Sequence, residues 1–371
     1  ATPSDHQQGN QPLTEAVAKR SDESQELVDS AAKGRVLMGG SEDMREAGEK
    51  YLPRFTAEKD RDYQARLKAS WLFNGFRKTV RDMTGRVFGS PVALVDPPQM
   101  LVDWEPDIDL QGNDLSTFSR KVFEDALSGP GISWVMVDAP QRQGDVTKSQ
   151  AQAANLRPYL VSLQAEDILG WRSASINNVQ TVTQVRISEC VKEPDPKDEF
   201  AEIEVEQIRV LDRLDAGVQV RIFRKANDKE WALYGEPYFT GLDEITIAPL
   251  YLNRCGFWDA DPPLDDLADA NIAHWQSQSD QRNILHFARV PIMFGRQLDA
   301  ESVVIGPGAL VIGGAEQSAL EIVEHSGAAI EAGERDLKRI EEQMEAYGLQ
   351  LLTPRTSAQS ATGEAFDAAK E

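Results

Sequence analysis

Cysteine is nearly missing from this chain: Cys190 and Cys255 are the only two in 371 residues. Two thiols build neither a disulfide framework nor a metal cluster, and reduced thiols in a cytoplasmic setting are the simple reading. Histidine is almost as scarce. His6, His274, His286 and His325 include no pair at metal-ligand spacing. No apolar run approaches the roughly 20 residues of a membrane span, and the opening ATPSDHQQGNQ lacks the basic and apolar regions of a signal peptide. No membrane partner is therefore expected. There is no phosphate-cradling Gly-rich loop with its Lys-Ser/Thr, and no G-x-S-x-G elbow. Gly129-Pro130-Gly131 and Gly306-Pro307-Gly308 read as turns, because proline removes the donor an anion nest would use. These gaps argue against an enzyme and against a bound cofactor. Positive charge is short too: 39 Lys and Arg against 61 Asp and Glu leave a net charge of −22. Such a chain should not coat DNA by neutralising phosphates. It offers a soluble acidic surface that nucleic acid could slide past.

The remaining chemical candidates are weak. Asp259, Asp261, Asp265 and Asp266 could attract a hard cation, but acids at a helix start also favour the positive end of its dipole. Cys190 and Cys255 are expected to pack as small apolar residues. Trp71, Trp134, Trp171, Trp231, Trp258 and Trp275 are expected mostly in the core, and only Trp171-Arg172 comes near a nucleobase platform.

Along the chain, residues 1–50 form a polar arm with a helix from Leu13 to about Ala32, closed by Gly39-Gly40. A long helix is expected from Asp60 to about Val87, because Ala69, Leu72, Phe73, Phe76, Val80, Met83 and Val87 recur at three and four. Asp114 caps a second helix carrying Phe118, Val122, Phe123 and Leu127. ISWVMVD (132–138) reads as a buried strand, 141–157 as a surface loop, and 159–252 as strand-rich. Asp215-Ala216-Gly217 sits at a hairpin turn. The acidic run from Glu189 to Glu206 reads as a solvated edge. The overall class is α+β.

PPLDDLADANIAHWQSQSDQRN (262–283) is the most telling stretch. It begins as an amphipathic helix and turns polar on every side from Gln276 to Asn283, where Gln276, Gln278, Ser279, Asp280 and Asn283 stand. A helix polar all round bridges domains, meets partner helices or lines a wet cavity. From about Pro263 to Arg289 it would be roughly 40 Å long. VPIMFG, VVIGPGALVIGG and ALEIVEH then make a compact strand-rich insert. A second long helix follows from about Ala328 to Leu352, with Ile330, Leu337, Ile340, Met344, Tyr347 and Leu351 on a narrow seam. TPRTSAQSAT (353–362) is a Ser/Thr-rich loop.

This ordered set resembles the portal proteins of tailed bacteriophages. It is similar to a phage-encoded family catalogued only as a domain of unknown function. The resemblance rests on 51–91, PYLVSLQAEDILGWR (158–172), 262–295, IGPGALVIGG (305–314) and Ser360-Ala361-Thr362-Gly363-Glu364-Ala365, and spans about Arg35 to the end. It implies a dodecameric ring at the capsid vertex of a virion, with a channel that passes genomic double-stranded DNA. The implied subunit has an arm (1–50), a mixed α/β wing (51–258) and a first stem helix (259–289). A small α/β clip (290–327), a second stem helix (328–352) antiparallel to the first, a tunnel loop (353–363) and the start of a further helix (364–371) follow. The family continues into a crown where this sequence stops.

The resemblance further implies docking of the packaging ATPase (the large terminase subunit), a head–tail adaptor and the major capsid protein. Arg282, Arg289, Arg335, Lys338 and Arg339 would touch phosphate or bridge subunits. Arg355 is the only charge of the tunnel loop, whose Thr353, Thr356, Ser357, Ser360 and Thr362 would give weak, sequence-independent contacts. The clip strands, Val290–Phe294 and Val303–Ile312, would join neighbours by strand addition. Another virion neck or adaptor ring protein is the alternative, followed by a metal-dependent hydrolase using Asp259–Asp266.

Overall fold

The computed structural model describes residues 16–140, 147–226, 230–288, 292–296, 319–323 and 327–348. Its helices are α1 (Asp22–Gly39), α2 (Ser41–Ala47), α3 (Asp60–Ala69), α4 (Gly75–Val87), α5 (Gln99–Trp104), α6 (Leu115–Ser128), α7 (Lys148–Ala153), α8 (Asp265–Ala288) and α9 (Ala328–Tyr347). Its strands are β1 (Ile132–Asp138), β2 (Tyr159–Leu163), β3 (Ile168–Ile176), β4 (Val179–Pro194), β5 (Glu202–Leu214), β6 (Gly217–Ala226), β7 (Glu230–Leu233), β8 (Tyr238–Phe239), β9 (Ile247–Tyr251), β10 (Arg254–Gly256), β11 (Asp259–Ala260), β12 (Ile292–Arg296) and β13 (Ala319–Val323). The chain is mixed α+β, and every strand pairing among the described residues is antiparallel. Among the described residues, no helix is long and apolar enough to cross a membrane.

The described residues divide into two compact units, each made of two chain segments: 16–38 with 77–265, and 39–76 with 266 onward. The first unit is layered. A three-stranded sheet, β2-β1-β9, faces a larger sheet of order β3-β4-β5-β6-β7, with β8 paired to β6. Alternation along β1 sends Trp134 and Met136 to the core shared with Val185, Ile187, Leu211 and Val220, while Val135 faces Phe118 and Val122 of α6. Trp134 and Trp171 lie 5.5 and 5.4 Å, centroid to centroid, from Trp258. Asp114 caps α6 as expected, its carboxylate accepting from the Thr117 amide at 2.6 Å. The charges between the sheets are paired. Arg209 donates to Asp138 at 2.6 Å and lies 2.8 Å from Glu189. Tyr159 donates to Asp138 at 3.0 Å, and burial, with Asp138 second, pushes the phenol up to about 12.

Several expectations need correction. The helix expected over 13–32 is displaced: α1 runs from Asp22 to Gly39, and the segment before it lies across β3 and β4. There Arg186 donates to the carbonyls of Ala16, Val17 and Lys19. The single helix expected over 60–87 is two helices, α3 and α4, because Ser70 leaves helical geometry (ψ 143°). The loop expected over 141–157 contains α7. Both cysteines are exposed rather than packed. Cys190 stands beyond the end of β3, where β4 pairs only with β5 (opposite Glu206), and Cys255 lies in the short β10–β11 hairpin with its thiol on Asp261 at 2.9 Å. Trp71 is exposed.

Candidate functional site

In the second unit, several polar side chains of α8 find partners on two sides of the helix, while Gln278 Oε1 and Gln281 Oε1 are buried without a hydrogen bond among the described residues. His274, Ser277 and Gln281, spaced by three and four, face α9. His274 Nε2 lies 3.1 Å from Glu341, the Ser277 hydroxyl donates to Asp336 at 2.8 Å, and Gln281 Nε2 donates to the Ile330 carbonyl at 2.9 Å. The partner numbers rise as the α8 numbers fall, so α8 and α9 run antiparallel. Their approach is close at Gly333, where an added Cβ would collide with Gln281, 2.7 Å from its Cδ. Ile340 and Met344 of the expected α9 seam are buried, whereas Tyr347 is exposed.

A second stripe of α8 faces α3 and the segment before it. Gln276 donates to the Tyr51 carbonyl at 3.0 Å. Ser279, buried, accepts from Ser70 at 2.9 Å and from Arg66 at 3.4 Å. Arg66 is the hub. It donates to both oxygens of Glu58 at 2.8 and 2.7 Å and to the Pro53 carbonyl at 2.9 Å, its guanidinium lies over Phe55 at 4.1 Å, and Asp280 is 3.7 Å away. Hydrogen bonding to Arg66 holds Glu58 below the usual carboxylate range. Burial pushes Asp280 the other way, against the pull of Arg66.

The break between α3 and α4 is built by the same helix. Asn271, fully buried, accepts from the Phe76 amide at 2.8 Å and donates to the Phe73 carbonyl at 2.9 Å, while Ser41 accepts from the Leu72 amide. These side chains satisfy the backbone groups that a continuous helix would have paired internally.

A cleft of about 770 Å³ opens between α3 and the last turns of α8. Gln278, Ser279, Arg282 and Asn283 line it, facing Arg66 and Trp71. Four of the expected residues thus converge on one place. Arg335, Lys338 and Arg339 lie instead on the exposed side of α9, where Arg339 pairs with Asp336 at 2.9 Å. Arg289, Thr353, Arg355, Thr356, Ser357, Ser360 and Thr362 fall outside the described residues. The expected clip strand at 290–294 corresponds to β12. It pairs with β13, Ile292 opposite Val323, while Val303–Ile312 is outside the described residues. The acids at 259–266 do not converge: Asp261 takes the Cys255 thiol and Asp265 pairs with Lys33 at 2.8 Å. Among the described residues no group of three or more His, Cys, Asp or Glu is placed to hold a metal.

Arg66, Glu58, Ser70 and Asn271 escaped the sequence reading. The Asn74-Gly75 dipeptide, a turn signal, was the one hint that the 60–87 pattern would break.

Residues 263–371, which begin just before α8, match the family described as Domain of unknown function (DUF4055), a phage-associated family of unknown function. No curated protein matches the chain.

Proposed function

We propose that this chain is the subunit of a phage portal ring, a non-enzymatic conduit for double-stranded DNA at the capsid vertex. The observation that carries the reading is the antiparallel pair of long helices, α8 and α9, whose connecting segment holds the β12–β13 ladder. The same stretch is the part of the chain that matches the phage-associated family. Two rods joined by a small sheet suit a closed assembly, in which each rod meets its own partner, a neighbour and the lumen.

The polar stretch of α8 contributes less to this reading than its sequence promised. Gln276, Ser279, Asp280 and Gln281 are engaged within the chain. The exposed cations Arg282, Arg335 and Lys338, with Arg339 beside its Asp336 partner, are the groups available to bridge subunits or touch phosphate. Arg289 and Arg355 would extend that set, and Thr353, Thr356, Ser357, Ser360 and Thr362 would give sequence-blind contact. The packaging ATPase, the head–tail adaptor and the major capsid protein are the partners this role requires.

The experiment reverses charge at Arg335, Lys338 and Arg339 and follows both native mass and DNA retention in assembled particles. Loss of the multi-subunit species assigns these cations to subunit bridges. Intact rings with impaired DNA packaging assign them to the lumen. A wild-type chain that remains a single subunit at high concentration overturns the proposal.

A further inference from the structure

The larger sheet of the first unit carries two features that complement each other. One is an arm. Beyond Ser188 and Gln207 the β4–β5 hairpin has no further ladder partner among the described residues and continues as a two-stranded ribbon to the pair Pro194–Glu202. Its half-dozen or so residues of strand project it by about 20 Å. Two of its acids are neutralised within the chain: Glu206 near the base pairs with Lys225, and Glu193, next to the last ladder pair, pairs with Arg224 at 2.7 Å. Its tip is not. Asp198, Glu199 and Glu202 are exposed and, among the described residues, make no ion pair, and between them Phe200 is 91% exposed. Aromatic side chains are the commonest kind of anchor at the centre of an interface, and this ring is free to serve as one.

The other feature is a cationic cleft of about 530 Å³ on the sheet face where Val210 and Phe223 stand, with Trp171 on its wall. Lys19 and Arg172 are exposed at its mouth, Arg20, Arg186 and Arg221 line it together with Asp22 and Glu23, and Arg221 is paired with Asp212 at 2.7 Å. Arg186 donates to the backbone carbonyls of Ala16, Val17 and Lys19 and takes no carboxylate among the described residues. In a chain of net charge −22, this excess of cations over acids beside aromatic walls suits an acidic occupant carrying an apolar anchor, and the arm tip, where Asp198, Glu199 and Glu202 outnumber Lys197 around Phe200, has that composition.

We propose that the arm of one copy docks in the cleft of a second copy, Phe200 seating against Trp171 and Phe223 while Asp198 and Glu199 meet Lys19 and Arg172. Arm and cleft are different surfaces, so the contact is head-to-tail and propagates around a ring or along a filament. The proposal rests on the ring reading only in requiring self-association.

The test uses the full chain in sedimentation and native mass measurements. An arm variant, Asp198→Lys with Glu199→Lys, and a cleft variant, Lys19→Glu with Arg172→Glu, alter only exposed positions, and unchanged thermal unfolding checks that both fold. Each alone is expected to lose about tenfold or more in association. An equimolar mixture is expected to regain it, because each variant's arm then meets an opposite charge. Phe200→Ala should weaken association without salt dependence of the loss. If both reversed variants assemble like the wild type, or if the mixture assembles no better than either alone, the proposal fails. Rings that survive in both variants leave the portal reading standing without the arm. Association restored by mixing, but with no central hole in electron micrographs, leaves the arm standing without the portal reading.

Discussion

Replacing Glu58 with Gln leaves the Arg66 guanidinium buried without its carboxylate. The two side chains are 7% and 4% exposed, and the pair is bidentate. Breaking a buried pair from one side costs about 3–5 kcal/mol, because the surviving charge stays desolvated. Asp280 lies 3.7 Å from Arg66 and is half exposed, so it compensates part of that charge. The Pro53 carbonyl also remains as an acceptor. The expected loss is therefore about 2–3 kcal/mol for the packing of α3 on α8. Hydrogen exchange at the α3 amides reads it locally, as a fall in protection of about 30- to 150-fold. Adding Arg66→Met should recover most of the loss, since removing both charges removes the desolvated orphan. The pH dependence has a definite sign. The folded-state pKa of Glu58 is depressed, so its contribution is fully present above the ordinary carboxylate range and disappears as pH falls through the depressed value. Burial raises the pKa of Asp280, so its ionisation is unfavourable in the folded state and acidification relieves it. The difference between wild type and Glu58→Gln isolates the first effect. A variant within about 0.5 kcal/mol of wild type at neutral pH, the scale of an ordinary surface substitution, would refute the claim that Arg66 is the hub of this packing.

Asn271→Leu should cost about 1–3 kcal/mol in urea unfolding, because the Phe73 carbonyl and Phe76 amide lose their partner; an unchanged midpoint would mean that water replaces the amide. Gly333→Leu should push the Gln281 amide aside and break its bond to the Ile330 carbonyl, seen as lost exchange protection around Ile330 and Gln281; full protection would show that the Gln281 side chain swings away without penalty. Cys255 should label slowly at neutral pH despite its exposure, because its hydrogen bond to Asp261 raises the thiol pKa. Asp261→Asn should speed that labelling, and equal rates would remove Asp261 as the cause.

Much of the architecture could be read from periodicity and turn chemistry. β1 and β5 occupy the expected residues because an apolar run and an alternating run each end at unmistakable turns, and α6 starts at its Asp114 cap. The two long helices were legible for the same reason. The α3–α4 break was not, because the apolar spacing of Leu72, Phe73 and Phe76 continues across it. What satisfies the backbone between the two helices is the Asn271 side chain, distant in sequence and brought to the break by the fold. The partners of the polar α8 stretch were hidden likewise: composition says that Gln281 and Ser279 need hydrogen bonds, and only the fold says that Ile330 and Ser70 supply them. Cys190 misled because a β-strand pattern does not reveal where two strands leave the rest of their sheet as a ribbon. At the cleft, Gln278, Ser279 and Asn283 stand out by their strangeness on a helix and Arg282 through the resemblance, whereas Arg66 and Glu58 look like ordinary surface charges until packing encloses them.

Electron microscopy of the purified full chain tests the ring account most directly. Closed rings of uniform subunit number, with a central hole able to admit duplex DNA, are the predicted result; discrete solitary subunits at every concentration would contradict it.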